Sequence, residues 1–326
     1  MKIAVYETRK DEMPVLEWAE EHYGIRLETT GSALTEETVG MAMGCDGVTI
    51  LGRSRLDADM LDSLHSMGIK YISTRTVGYD HIDVPYAKQL GFRLGNASYA
   101  PDGVADYTVM LILMAIRKYK PALWRGQVND YSLEGLMGRQ LGSLTVGILG
   151  TGKIGKRVLQ SLTGFGCRLL CSSSHVDEEA ARIAEYVPRD TLYRECDVIS
   201  LHVPLNEKTR HMINEESISR MKEGVVLVNC ARGELMEIQA LIRNVENEKI
   251  GALALDVFEN EGGIYHEDRR SDILKNRDMA YLRQFPNVIM TQHMAFYTQE
   301  AVESMVRTGL ESLIAFYEGK NYPTQL

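Results

Sequence analysis

Paired cysteines are missing from this chain of 326 residues. Its five (Cys45, Cys167, Cys171, Cys196 and Cys230) are scattered, odd in number and free of CxxC spacing, so neither a disulfide framework nor a zinc site is expected. A reducing cytoplasm is the natural compartment, and no metal is assigned. A surplus of positive charge is missing too. The 36 Lys and Arg against 45 Asp and Glu leave a net charge of −9, which argues against nucleic acid or an anionic membrane surface, because phosphate-rich partners reward clustered cations. No apolar run of membrane-spanning length without charge occurs, and the opening Met1-Lys2-Ile3-Ala4-Val5-Tyr6-Glu7 turns charged too early for a signal peptide. Solenoid-period repeats and low-complexity tracts are also absent. What these absences leave is a protein of small-molecule partners, long enough for two domains with a core each.

What is present is alternation. Ile3 to Tyr6, Gly47 to Leu51 and Lys70 to Ser73 read as strands with amphipathic segments between them, a rhythm that builds a parallel sheet with covering helices. Pro101 opens a helical pattern over Asp102 to Lys118, whose centre, Val109 to Ile116, is apolar on every face and is therefore expected to be buried. Residues 120 to 143 are polar without clear period and read as a connecting arm. Strand-like runs then recur at Thr145–Leu149, Arg168–Ser172, Val198–His202, Val225–Asn229, Ala252–Val257 and Val288–Thr291. Six such runs with helical spacers make a full doubly wound sheet. Gln299 to Tyr317 closes the chain as a long helix.

The most informative stretch is Val146-Gly147-Ile148-Leu149-Gly150-Thr151-Gly152-Lys153-Ile154-Gly155, an apolar run ending in G-x-G-x-x-G. Gly150 allows the tight turn, Gly152 lets backbone approach a pyrophosphate, and Gly155 lets the next helix pack closely on the sheet. The phosphates then sit on the positive N-terminus of the helix that Lys153 and Ile154 begin. A nicotinamide or flavin cofactor is implied. Delivering hydride to a carbonyl further needs a cation for an acid substrate and a proton donor for the oxygen. Arg232 directly follows the run ending at Asn229, where open α/β sheets place ligands, and its planar fork suits a carboxylate. His293 follows the sixth run, again at a strand end, and imidazole suits proton transfer near neutral pH. Glu261 could pair with His293 and maintain its acid form.

With these residues in view, the chain resembles the D-specific 2-hydroxyacid dehydrogenases along nearly its whole length, most closely the D-lactate dehydrogenase branch that includes the vancomycin-resistance enzyme. The matching stretches are Lys70 to Asp83, Tyr99 to Asp106, the glycine motif, Leu201 to Leu205, Asn229 to Gly233, Ala254 to Val257 and His293 to Thr298. The resemblance implies two doubly wound parallel-sheet α/β domains. A Rossmann cofactor domain, 101–294, is inserted into a flavodoxin-like substrate domain, 1–100 with 295–326. It further implies a homodimer formed through helix 102–118. By resemblance, Arg232 holds the substrate carboxylate, His293 donates the proton and Glu261 supports it. Val77 and Gly78 match a turn whose N–H groups hold the carboxylate, while Tyr99 and Phe296 match the side-chain pocket. His202, Val203, Pro204, Cys230 and Ala231 fall in cofactor-contacting stretches, and Asp256 matches the aspartate facing the nicotinamide carboxamide. The reaction implied is reduction of a 2-oxo acid by NAD(P)H to the D-2-hydroxy acid, with pyruvate first. Isocaproate- and phenylpyruvate-type substrates are the bulkier alternatives. A corepressor-like nucleotide sensor of the same fold is the alternative class, disfavoured because no disordered extension for recruiting partners is seen.

Two positions depart from the family pattern. Ser173, followed by Ser174 and His175, stands where NAD-preferring members carry a ribose-binding aspartate. Without that carboxylate a 2′-phosphate is not repelled, yet no arginine follows, so the expectation leans only slightly to NADP(H) over NAD(H). Gln292 precedes His293 where proline is usual, which loosens the approach to His293 or adds an amide beside it.

Overall fold

Most of the twelve strands form where apolar runs meet turn residues, and the computed structural model describes all of residues 1–326. Two compact units result: Met1–Ala100 with Tyr297–Leu326, and Pro101–Phe296. The first holds β1 (Lys2–Val5), β2 (Arg26–Thr29), β3 (Gly47–Ile50), β4 (Tyr71–Thr74) and β5 (Arg93–Gly95), all parallel, in the order β2-β1-β3-β4-β5. This is the flavodoxin-like order, which reverses between β1 and β3. β3 is buried throughout, as expected of a central strand with helices on both faces. The closing helix, Gln299–Tyr317, packs on β4, with Val306, Leu310 and Leu313 in the core that contains Ile3, Val5 and Leu16.

The second unit holds β6 (Thr145–Leu149), β7 (Arg168–Ser172), β8 (Glu185–Tyr186), β9 (Val198–Leu201), β10 (Val225–Asn229), β11 (Ile250–Leu255) and β12 (Val288–Met290). They lie in one parallel sheet in the order β12-β11-β10-β9-β6-β7-β8. Counted from β6, this is the 3-2-1-4-5-6 dinucleotide-binding order with one strand added beyond the sixth. The order reverses between β6 and β9, and such a switch point opens a crevice at the carboxyl ends of the strands.

Several expectations need correction. The second sheet has seven strands, not six, because β8 is two residues long and carries no readable alternation. β2 and β5 were not anticipated: β2 is a polar edge strand and β5 has three residues. The arm contains a helix, Tyr119–Gln127, none of whose residues is buried, so it has no apolar stripe to read. It is tied down by Lys120, whose Nζ donates to the carbonyls of Arg283, Phe285 and Val288 at 2.6–2.7 Å. The helix Asp102–Ile116 buries Ala105, Val109, Leu111, Ile112 and Ala115 against the second sheet, but Met110 is exposed, so burial is not complete.

Candidate active site

At the end of β6 the chain turns through Gly150 at φ 94°, a backbone conformation for which a side chain is strained. A Cβ on Gly150 would lie 2.5 Å from the His202 carbonyl oxygen, and one on Gly155 would lie 2.0 Å from that of Gly150. Both glycines are therefore demanded by close backbone approach. Gly152 differs. A Cβ there would meet no protein atom, so the space beside this N-cap of the helix Lys153–Leu162 is open. The first-turn N–H groups of a helix lack intrahelical acceptors; this turn thus fits a dinucleotide pyrophosphate. Tyr186, unforeseen in the sequence, braces the loop. Its hydroxyl donates to Thr151 Oγ1 at 2.7 Å and accepts from the Asp177 N–H at 3.0 Å.

The adjacent loop carries Ser173, Ser174 and His175, with Ser174 Oγ 3.0 Å from His175 Nδ1. Lys156 reaches the same region and pairs with Asp177 at 3.1 Å and Glu179 at 2.8 Å. Across the switch point, after β9, His202 Nε2 lies 2.9 Å from Ser200 Oγ, and burial pushes the imidazole down to about 4, leaving it neutral at pH 7. Val203 and Pro204 continue this segment.

After β10, the buried Asn229 shapes the Cys230-Ala231-Arg232 loop: its side chain accepts from the Ala231 N–H at 2.9 Å and donates to the Arg232 carbonyl at 2.8 Å. Gly233 then passes so close to the next loop that a Cβ would sit 2.2 Å from the Glu259 nitrogen. Cys230, beside Asp256, has its thiol pushed up to about 12 by burial. Arg232 is half-buried, with one guanidinium nitrogen donating to the Ala231 carbonyl at 2.8 Å.

The histidine–carboxylate pair gathers after β11 and β12. Asp256 is completely buried, and its carboxylate accepts from Thr291 Oγ1 at 2.6 Å, the Met294 N–H at 2.9 Å and the Ala295 N–H at 2.8 Å. Its carbonyl accepts the His293 N–H at 2.6 Å. Asp256 therefore builds the turn that displays His293, and Oδ2 keeps acceptor capacity for a further donor. Gln292, the residue before His293, is exposed. Glu261 Oε1 meets His293 Nδ1 at 2.5 Å, while Oε2 accepts the Phe258 N–H at 2.8 Å. Both side chains of the pair are between a quarter and a third exposed, reachable from solvent. Phe296 stands 6.3 Å from His293, ring to ring, edge-on.

In the other unit, the turn after β4 has the carbonyls of Thr76, Val77 and Gly78 all occupied, by the Ala97 N–H, Asn96 Nδ2 and Thr76 Oγ1. The N–H groups of Val77 and Gly78 donate to no protein acceptor. Adjacent unoccupied N–H groups of this kind suit an anion. Behind them Arg75 is fully buried and ion-paired to the equally buried Glu12 at 2.9 Å. Tyr99 is half-buried.

Comparison with known proteins identifies the chemistry. Residues 109–295 match the model of the D-isomer specific 2-hydroxyacid dehydrogenase NAD-binding domain. An aromatic 2-oxoacid reductase of Clostridium sporogenes is 39% identical over 318 residues, 97% of this chain and 96% of that one. The D-lactate dehydrogenase of Escherichia coli is 37% identical over the full length of both. Among solved structures, D-lactate dehydrogenase with NAD+ from Lactobacillus jensenii superposes with a TM-score of 0.86 at 30% identity, covering 100% of this chain and 99% of that one. The chain belongs to the D-isomer specific 2-hydroxyacid dehydrogenases, oxidoreductases that move hydride between a nicotinamide dinucleotide and the carbinol carbon of a 2-hydroxy acid.

Proposed function

We propose that this enzyme reduces a 2-oxo acid, pyruvate first, to the D-2-hydroxy acid. The observation that carries this reading is the 2.5 Å contact between His293 and Glu261. With Nδ1 held by the carboxylate, Nε2 is the nitrogen left to protonate the substrate oxygen, and Glu261 balances the charge of the loaded imidazole. Arg232 supplies a guanidinium fork to the substrate carboxylate, with a donor remaining to polarise the oxo group. In the five-stranded unit, the N–H pair of Val77 and Gly78 is suited to a carboxylate oxygen. Tyr99 and Phe296 are assigned to substrate side-chain contact. Reduced nicotinamide dinucleotide, when bound, supplies the hydride.

For the cofactor, Gly150, Gly152, Lys153, Ile154 and Gly155 are assigned to the pyrophosphate. His202, Val203, Pro204, Cys230, Ala231 and Asp256 are assigned to the nicotinamide side, and Ser173 and Ser174 to the adenosine ribose. A slight preference for NADPH rests on these serines standing where a carboxylate would repel a 2′-phosphate. A homodimer through the helix Asp102–Ile116 is supported by the exposed Met110 and by Trp124, Val128, Tyr131, Leu133 and Met137 on the neighbouring arm. A cytoplasmic setting is supported by five free cysteines.

The test is a panel of pyruvate, 4-methyl-2-oxopentanoate and phenylpyruvate, each run with NADH and NADPH, with the chirality of the product determined. Pyruvate is expected to give the highest kcat/KM and a D-product. A better bulky substrate moves the assignment to the isocaproate or phenylpyruvate type, and no turnover with any acid ends it. Because a single methylene discriminates by only about 1–3 kcal/mol, the panel decides what sequence identity does not. Ser173→Asp should shift preference toward NADH.

A further inference from the structure

His266 is a titratable group close to the proposed proton donor that the reaction does not use. It lies in the exposed loop after β11, with its backbone left-handed at φ 62°. Its Nε2 is 3.1 Å from the His293 carbonyl oxygen. Its ring centre is 6.1 Å from that of His293 and 6.3 Å from that of Phe296, and those two are themselves 6.3 Å apart, so the three rings form a near-equilateral triangle. A carbonyl can only accept, so Nε2 carries the proton and donates whether the His266 ring is neutral or charged.

The backbone of His293 needs such a tie. It too is left-handed, at φ 52°, a region that residues with a side chain occupy only when their surroundings hold them there. On its amide side the hold is plain: the His293 N–H goes to the Asp256 carbonyl, and the next two N–H groups go to the Asp256 carboxylate. On its carbonyl side the partner is His266.

We infer that His266 is a positioning residue for His293. It fixes the carbonyl side of the strained residue as Asp256 fixes the amide side, and so presents the imidazole with Nδ1 on Glu261 and Nε2 toward the substrate oxygen. This rests on the proposed role of His293 as proton donor. A residue that merely packed against Phe296 would need a ring at this position, whereas a positioning residue needs the N–H.

Two variants separate these roles. His266→Phe keeps a ring and removes the donor; His266→Gln removes the ring and keeps an N–H of similar reach. The expected result is that His266→Phe lowers kcat about tenfold with both KM values changed less than about twofold, and that His266→Gln recovers to within about threefold of the wild type. Wild-type kcat in His266→Phe, or a glutamine variant no better than the phenylalanine one, overturns the inference. If the wild type itself reduces none of the 2-oxo acids, the proposed function fails instead. The positioning claim is then read from ring 15N–1H NMR spectra. His266 should be the Nε2–H tautomer, and the His293 ring signals should move in His266→Phe and stay in His266→Gln; signals unmoved in both overturn it.

Discussion

Each unit holds an acid–base pair close to the end of a strand, and the two pairs do opposite jobs. Arg75 and Glu12, in the five-stranded unit, meet at 2.9 Å with neither side chain reaching solvent. His293 and Glu261, in the seven-stranded unit, meet at 2.5 Å with both partly open. Contact distance does not tell these pairs apart; access does. A pair sealed from water cannot exchange a proton with a substrate, and its energy goes into holding the turn that follows Arg75, through further donation to the Tyr6 carbonyl. A pair with an open side can take a proton from water and pass it on. The backbone repeats the contrast: His293 is held in a left-handed conformation by hydrogen bonds around it.

The comparison is broken most forcefully at Arg75. Arg75→Ala leaves the Glu12 carboxylate buried without its cation, and urea unfolding should register a loss of about 3–5 kcal/mol. Replacing both partners together, Arg75→Met with Glu12→Leu, should recover most of it. Equal losses in the single and double variants would show that the pair is not the unit that matters. At the open pair the stability effect should be small and the kinetic one large. His293→Ala is expected to lower kcat roughly a hundredfold or more, the usual worth of a positioned proton donor, while dinucleotide affinity measured by fluorescence titration is retained. Turnover at the wild-type rate would remove His293 from its assigned role.

The smallest effect expected is at His202, a half-buried imidazole after β9. Its folded-state value of about 4 lies below the ordinary histidine value of 6.5, so the unfolded chain binds more protons between these two limits. Its contribution is therefore present in full above pH 6.5 and is lost as pH falls toward 4. Unfolding free energies measured across that window should fall less steeply in His202→Gln than in the wild type, and parallel curves would contradict the burial argument.

The sequence was most legible where one local spacing carries one physical demand. The glycine motif is such a case, because the backbone contacts at Gly150 and Gly155 admit no side chain. Strands buried on both faces were legible as well, since burial forces a continuous apolar run. β2 and β8 were not, being edge strands of four and two residues with partly exposed, polar sequences. Nor was the helix Tyr119–Gln127, which buries nothing and is fastened by a lysine to carbonyls more than 160 residues away. In the site, the end groups Arg232, Glu261 and His293 were readable as chemistry, but their supports were not. Asn229, Tyr186, Thr291 and Arg75 look like ordinary polar residues until their partners are known.

Composition, motif spacing and strand rhythm were enough by themselves to indicate a parallel α/β chain of two-domain length with a dinucleotide-binding turn, because those properties depend on residues close together in the chain; the dehydrogenase reading came with the family resemblance. The expected pairing of Glu261 with His293 acquired its geometry only in three dimensions, where Asp256 also holds the backbone that follows His293. Glu261 and Asp256 lie five residues apart, yet one side chain opens toward solvent and the other is enclosed by the backbone of 294–295. Burial and orientation are products of long-range packing, and they assign opposite tasks to the same functional group.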